Sequence, residues 1–247
     1  MRTLKLTVQY DGTAYVGWQR QSNGPSVQGL IEQALKPIEG CDVSVHGAGR
    51  TDAGVHALGQ VASVVVENAL AGPKLARALN AVLPPDVRVL AVEDAPPGFH
   101  ARFSARAKTY EYRIVNAPLI SAFLHRYAWH VPQPLDVEAM RTAAGPLVGT
   151  YDFAAFQGSR SAVRTTERTI LDLGWQDGGG FDFPLVLTVT GDGFLRHMVR
   201  NIVGTLVEIG AGRRDPWHVL SVLNSRDRAQ AGPTAPSHGL FLTHVLY

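Results

Sequence analysis

Val43-Ser44-Val45-His46 runs into Gly47-Ala48-Gly49-Arg50-Thr51-Asp52-Ala53-Gly54-Val55-His56, and Gln60-Val61-Ala62-Ser63-Val64-Val65-Val66-Glu67 follows. Val43 and Val45 mark a short strand, and the valine-rich segment 60–67 a longer one. The glycines between them free the backbone for positive φ and for close approach to a ligand. Upstream, Leu4, Leu6, Val8 and Tyr10 alternate with Lys5, Thr7 and Gln9, the period of a half-buried strand that Asp11-Gly12 ends as a turn. Between these strands Pro25-Ser26 opens a helix, with Ser26 as N-cap and Val27, Leu30, Ile31, Ala34, Leu35 and Ile38 on one face. Downstream, Pro73 starts a second helix to about Val82, Pro84-Pro85 stops it, and 87–92 closes as a strand. The order is β-α-β-β-α-β.

The rest of the chain repeats that order with longer loops. A strand over 109–115 puts Tyr110, Tyr112 and Ile114 on one face. Asp136 caps a helix, and 168–175 and 183–190 form an antiparallel pair across Asp177-Gly178-Gly179-Gly180. The strongest helical stripe is Leu195, Met198, Val199, Ile202, Val203, Leu206 and Val207, predicting a helix over 194–209 ended by Gly210. On that spacing Arg196 and Arg200 share a face. Asp215-Pro216 opens another helix, and 240–246 is a final strand. The expectation is an α+β protein of two ferredoxin-like or RRM-like halves, 1–105 and 106–247. Each half is long enough to bury its own core.

Of 247 residues, 45% are hydrophobic and 18% charged, and 23 Lys+Arg against 21 Asp+Glu give a net charge of only +2, which excludes disorder over most of the length. No window supplies the roughly 18 apolar residues of a spanning helix, and Met1-Arg2-Thr3-Leu4-Lys5-Leu6-Thr7 holds no secretory h-region. The single cysteine, Cys41, can form neither an internal disulfide nor a Cys-rich metal site, pointing to the cytoplasm. The nine histidines (His46, His56, His100, His125, His130, His197, His218, His238 and His244) lack metal-ligand spacing, so no metal is expected. Arg102, Arg106, Lys108, Arg113 and Arg126 face only Glu111 within 96–130, a local basic excess suited to a nucleic acid or to ordinary solvation.

The loop 47–56 lacks G-x-x-x-x-G-K-[ST] and the third glycine of a dinucleotide fingerprint. On residue types alone, Asp52-Ala53-Gly54 reads as a turn in which the aspartate bonds its own backbone. Ser159 and Ser161 sit in no G-x-S-x-G elbow. A glycosidase pairing would need a second acid near Asp52, with Asp42 and Asp11 as the candidates.

The string Gly49-Arg50-Thr51-Asp52-Ala53-Gly54-Val55-His56 resembles the signature of the TruA-type tRNA pseudouridine synthases. Tyr10-Asp11-Gly12, Gly17-Trp18-Gln19-Arg20-Gln21 and Ser26-Val27-Gln28 resemble that family's N-terminus. Phe99-His100-Ala101-Arg102-Phe103-Ser104-Ala105 with Lys108-Thr109-Tyr110 resembles its central segment. His197-Met198-Val199-Arg200-Asn201-Ile202-Val203-Gly204 resembles its late helix, and Gly239-Leu240-Phe241-Leu242 its end. The matches fall in family order from residue 10 to residue 242.

The resemblance implies a pseudouridine synthase fold with a central antiparallel sheet and a cleft. It also implies isomerisation of uridine to pseudouridine in the tRNA anticodon stem-loop, at positions 38 to 40, without cofactor or metal. Asp52 matches the family's catalytic aspartate; attack on C1′, addition to the base and proton abstraction toward a glycal all remain open for it. Arg200 matches the basic residue that pairs with the aspartate, and a guanidinium there favours the ionised carboxylate. Tyr110 matches the tyrosine that packs on the target base, and Arg50 the residue that helps hold the flipped nucleotide. Tyr112 is assigned to packing. Arg102, Arg106, Lys108, Arg160, Arg164 and Arg168 are candidates for phosphate contacts or plain surface charges. The partner implied is tRNA, with no DNA and no membrane, and the family works as a cytoplasmic homodimer. The other readings are a non-catalytic RRM-like RNA-binding protein, against which the RNP1 pattern is missing, and a carboxylate-dependent nucleoside hydrolase.

Overall fold

The structure is a computed structural model that describes residues 1–159 and 163–247. The chain folds as two compact units, Met1–Arg106 with Phe241–Tyr247, and Ala107–Leu240.

In the first unit, β1 (Arg2–Tyr10) leads through loop 11–26 to α1 (Val27–Glu39), then β2 (His46–Gly47), β3 (His56–Val66), α2 (Gly72–Val82) and β4 (Val87–Asp94). The strand β1 is central, antiparallel to β3 on one side and to β4 on the other. Its alternation works as expected, because Leu4, Leu6, Val8 and Tyr10 are all buried. Ser26 caps α1 by accepting the Gly29 N–H at 3.3 Å, and Val27, Ile31, Ala34 and Leu35 bury the stripe.

The short strand falls one residue later than Val43 and Val45 suggest, for a clear reason. The Val45 N–H donates to Glu32 Oε1 at 3.1 Å and its carbonyl accepts Gln28 Nε2 at 3.0 Å. Two side chains of α1 thus take the groups a ladder would use, and pairing with β3 is left to His46 and Gly47.

The second unit starts with β5 (Ala107–Val115), followed by β6 (Trp129–His130), α3 (Val137–Ala144), β7 (Gly149–Asp152), β8 (Glu167–Gln176), β9 (Leu185–Gly191), α4 (Met198–Gly210) and α5 (His218–Ser225). Its ladder runs β5-β9-β8-β7, all antiparallel, with β6 parallel to β5. Asp136 accepts the Ala139 N–H at 2.9 Å and caps α3 as expected.

Helix α4 begins at Met198 rather than at 194, since His197 sits in the left-handed region with φ 61°. Leu195 and Phe194 therefore precede the helix, and Arg196 does not share a helical face with Arg200. The face that does form is deeply buried, with Met198, Val199, Ile202, Val203, Leu206 and Val207 all in the core. The last strand, β10 (Leu240–Leu246), belongs from Phe241 onward to the first unit, where Phe241 and Leu242 pair parallel with His56 and Ala57 of β3. The α+β class expected from element order is what the chain adopts, with predominantly antiparallel sheet in both units. Among the described residues no helix is long and apolar enough to cross a membrane.

Candidate active site

Asp52 stands between β2 and β3 on a loop held from several sides. Ala48 is buried and its N–H donates to Val61 O at 2.7 Å, which starts the loop on the edge of β3. The fully buried Gln60 donates Nε2 to Gly49 O at 2.9 Å. Thr51 is buried, and its hydroxyl lies 2.8 Å from the Tyr10 hydroxyl at the end of β1. Its carbonyl accepts the Trp18 N–H at 3.1 Å.

The expected turn is present. Val55 N–H donates to Asp52 O at 3.1 Å, and Gly54 at φ 76° supplies the positive φ that a type II turn needs at its third residue. A second glycine makes room for it. Gly17 has φ 109°, and a Cβ there would lie 2.4 Å from Thr51 O and 3.0 Å from the Asp52 carbonyl carbon. Loop 11–26 is thus laid directly against the backbone that carries the carboxylate, which leaves Asp52 half-buried and Arg50 exposed.

The loop ends at His56, which is 1% exposed and stacks on Phe241 with ring centroids 4.7 Å apart. His56 Nδ1 accepts the Gly12 N–H at 3.1 Å, and Asp11 Oδ1 lies at the same distance. Burial pushes the Tyr10 phenol up to about 12, with the Thr51 and Gln60 hydrogen bonds only partly opposing it. The supports therefore include a neutral phenol, a buried amide and a buried imidazole. His56 stands in the loop's own string, whereas the partners from 10–18 have as their sequence signal the Tyr10-Asp11-Gly12 and Gly17-Trp18 segments.

The other two predicted site residues belong to the second unit. Tyr110 is buried on β5 opposite Val189, edge-on to Phe194 at 5.1 Å. Arg200 is half-buried on α4 and donates Nε to Ala235 O at 2.7 Å, while Ala235 N–H returns to Arg200 O at 3.1 Å. Tyr112 is fully buried and gives its hydroxyl to Pro236 O at 2.7 Å, with burial driving its pKa strongly upward.

Neither candidate for a paired acid is spare. Asp42 pairs with Lys36 at 3.0 Å, and Asp11 accepts both the N–H and the hydroxyl of Thr13. Of the arginine and lysine candidates, Arg102, Arg106 and Arg164 are exposed, Lys108 is half-buried and Arg168 donates to Thr165 O at 3.0 Å. Arg160 and Ser161 lie outside the described residues. Among the described residues no three His, Cys, Asp or Glu side chains gather to hold a metal ion.

A family model described as tRNA pseudouridine synthase matches residues 6–104 and 143–247. Proteins named tRNA pseudouridine synthase A are similar over the full chain. The one from Acetivibrio thermocellus is 43% identical over 247 residues, covering 100% of both chains. That of Moorella thermoacetica is 45% identical over 249 residues, again covering 100% of both. That of Myxococcus xanthus is 46% identical over 247 residues, covering 100% of this chain and 92% of its own. The chain belongs to the tRNA pseudouridine synthase family. A chain of a Cbf5-Nop10-Gar1 complex aligns at 16% identity and TM-score 0.39, over 97% of this chain and 48% of that one.

Proposed function

We propose that the protein isomerises uridine to pseudouridine in tRNA, at positions 38 to 40 of the anticodon stem-loop, with Asp52 as the catalytic carboxylate. The observation that carries this reading is the full-length identity of 43 to 46% to proteins named tRNA pseudouridine synthase A. Beside it stands the fixed loop that presents Asp52. In the reaction the N1–C1′ bond breaks, the uracil turns, and C5 bonds to C1′. The C5 hydrogen leaves as a proton and N1 gains one, so atoms balance with no oxidant or transferred group.

A stacked nucleotide hides C1′ and both faces of its base, so the target must be extruded, at roughly a few kcal/mol for unstacking and unpairing. Arg50, exposed two residues before Asp52, holds the extruded nucleotide; Tyr110 packs on the base; and Arg200 is the basic residue that the family resemblance assigns to the catalytic carboxylate. Phosphate contacts from the remaining arginines offset the extrusion cost. In this reading the chain acts as a cytoplasmic homodimer, and sedimentation is expected to give twice the 26.7 kDa of one chain.

The test uses unmodified tRNA labelled with tritium at uracil C5. The protein releases tritium to water without freeing uracil, and replacing U38, U39 and U40 by cytidine abolishes release. Undiminished release from the substituted tRNA contradicts the site assignment. Free uracil marks a hydrolase, and binding without release marks an RNA-binding module.

A further inference from the structure

A pile of three rings joins β2 to the loop that follows β4. His46 of β2 stacks on His100 with centroids 5.0 Å apart and planes 29° apart. His100 in turn meets Phe103 at 4.4 Å and 36°. The outermost ring is open, since Phe103 is 76% exposed. The Arg102 guanidinium carbon lies 5.6 Å from the Phe103 centroid, within cation–π range.

This exposure is held in place by the loop's own bonds. Ser104 N–H donates to His100 O at 2.9 Å, and His100 N–H to Ser104 Oγ at 3.1 Å. The N–H groups of Arg102 and Phe103 both point to His100 Nδ1, at 3.1 and 3.4 Å. That ring nitrogen is therefore an acceptor, and partial burial with His46 alongside lowers the His100 pKa, so the imidazole is neutral. The fully buried Ala101 pins the loop to the sheet, its N–H to Ser63 Oγ at 3.0 Å and its carbonyl to Tyr247 OH at 2.8 Å. Beside His46 and His100 opens a recess of about 300 Å³, bordered by Ser44, Ser63, Val65 and Phe99.

A large ring left open on a rigid loop contributes nothing to the core, and flat rings next to an arginine are what proteins offer to unpaired bases. We propose that His46, His100 and Phe103, with Arg102, form a stacking platform for an unpaired base of the RNA substrate, a contact separate from the Asp52 loop. The base lies on the Phe103 ring, and Arg102 meets the adjoining phosphate. This rests on the RNA-substrate reading above.

The experiment measures tRNA affinity by filter binding at several salt concentrations, in an Asp52→Asn background so that no turnover occurs. Phe103→Leu weakens binding about 10-fold with an unchanged salt slope, because stacking is lost and no phosphate contact is. Phe103→Trp stays within about twofold of the parent, and Arg102→Gln lowers the salt slope by about one. The exposed position leaves the fold intact, which thermal melting verifies. Affinity of Phe103→Leu within twofold of the parent overturns the platform, and so does a change in its sedimentation mass, which would make the face a contact between copies. A wild-type chain that neither binds tRNA nor releases tritium defeats the underlying reading as well, an outcome distinct from an active chain indifferent to Phe103.

Discussion

Thr51 shows how the loop that carries Asp52 is steadied by its neighbours. Its buried hydroxyl meets the buried Tyr10 hydroxyl, and its carbonyl takes the Trp18 N–H, so a residue next to Asp52 is tied to both β1 and loop 11–26. Thr51→Val keeps the shape and removes the hydroxyl, leaving the Tyr10 phenol short of a partner. It costs about 1–2 kcal/mol in a urea melt. It also lowers the tRNA isomerisation rate several-fold at saturating substrate, as the carboxylate loses its fixed position. An unchanged rate at saturation would mean that the loop is set by Gly17 and Gln60 alone. The turn at Asp52-Ala53-Gly54 was legible in the string 47–56, because Asp and Gly dominate turns. Thr51's partner was not, since 41 residues separate it from Tyr10 and neither residue type announces a hydrogen bond.

Among the elements, strands were easier to read than their ends. The alternation of β1 and β5 maps directly onto burial, with Leu4, Leu6, Val8, Tyr110, Tyr112 and Ile114 all inside. Boundaries moved where a side chain claimed backbone groups, as Glu32 and Gln28 do at Val45, or where one residue left the helical region, as His197 does before α4. Neither event has a periodic signature. Helix α4 also explains a glycine: a Cβ on Gly204 would lie 1.7 Å from Pro233 O, so the helix backbone and the 233–235 segment are in direct apposition. That segment supplies Ala235, the backbone partner of Arg200. Gly204→Ala must push the two apart, lowering the unfolding free energy by about 2–3 kcal/mol, as overpacking does. Calorimetry measures this; an unshifted melting temperature would show that the segment yields without cost.

Over the whole molecule, the chain closes its first unit with its last strand, placing Phe241 on His56 far from it in sequence. A terminal run of alternating apolar residues predicts a strand but names no partner, so this closure was hidden. Burial of phenols adds a measurable property. Tyr10 is raised to about 12, and Tyr15, Tyr112 and Tyr247 higher, chiefly by burial. A phenol with a raised folded-state pKa stabilises the fold fully below about pH 10, where the unfolded chain also keeps its proton, and loses that contribution as pH rises toward the folded value. Unfolding free energy therefore falls steeply above pH 10. Tyr10→Phe makes the fall between pH 10 and 12 shallower by about 2 kcal/mol, as equilibrium urea melts at each pH determine. The proposal that Asp52 is the catalytic carboxylate is tested most directly by a single comparison: tritium release from C5-labelled tRNA by the natural chain and by Asp52→Asn. Release by the natural chain, with a loss of at least a thousandfold (about 4 kcal/mol in the barrier) in a variant that still binds tRNA, is the predicted result. Pseudouridine formed by the asparagine variant at a comparable rate would contradict the account.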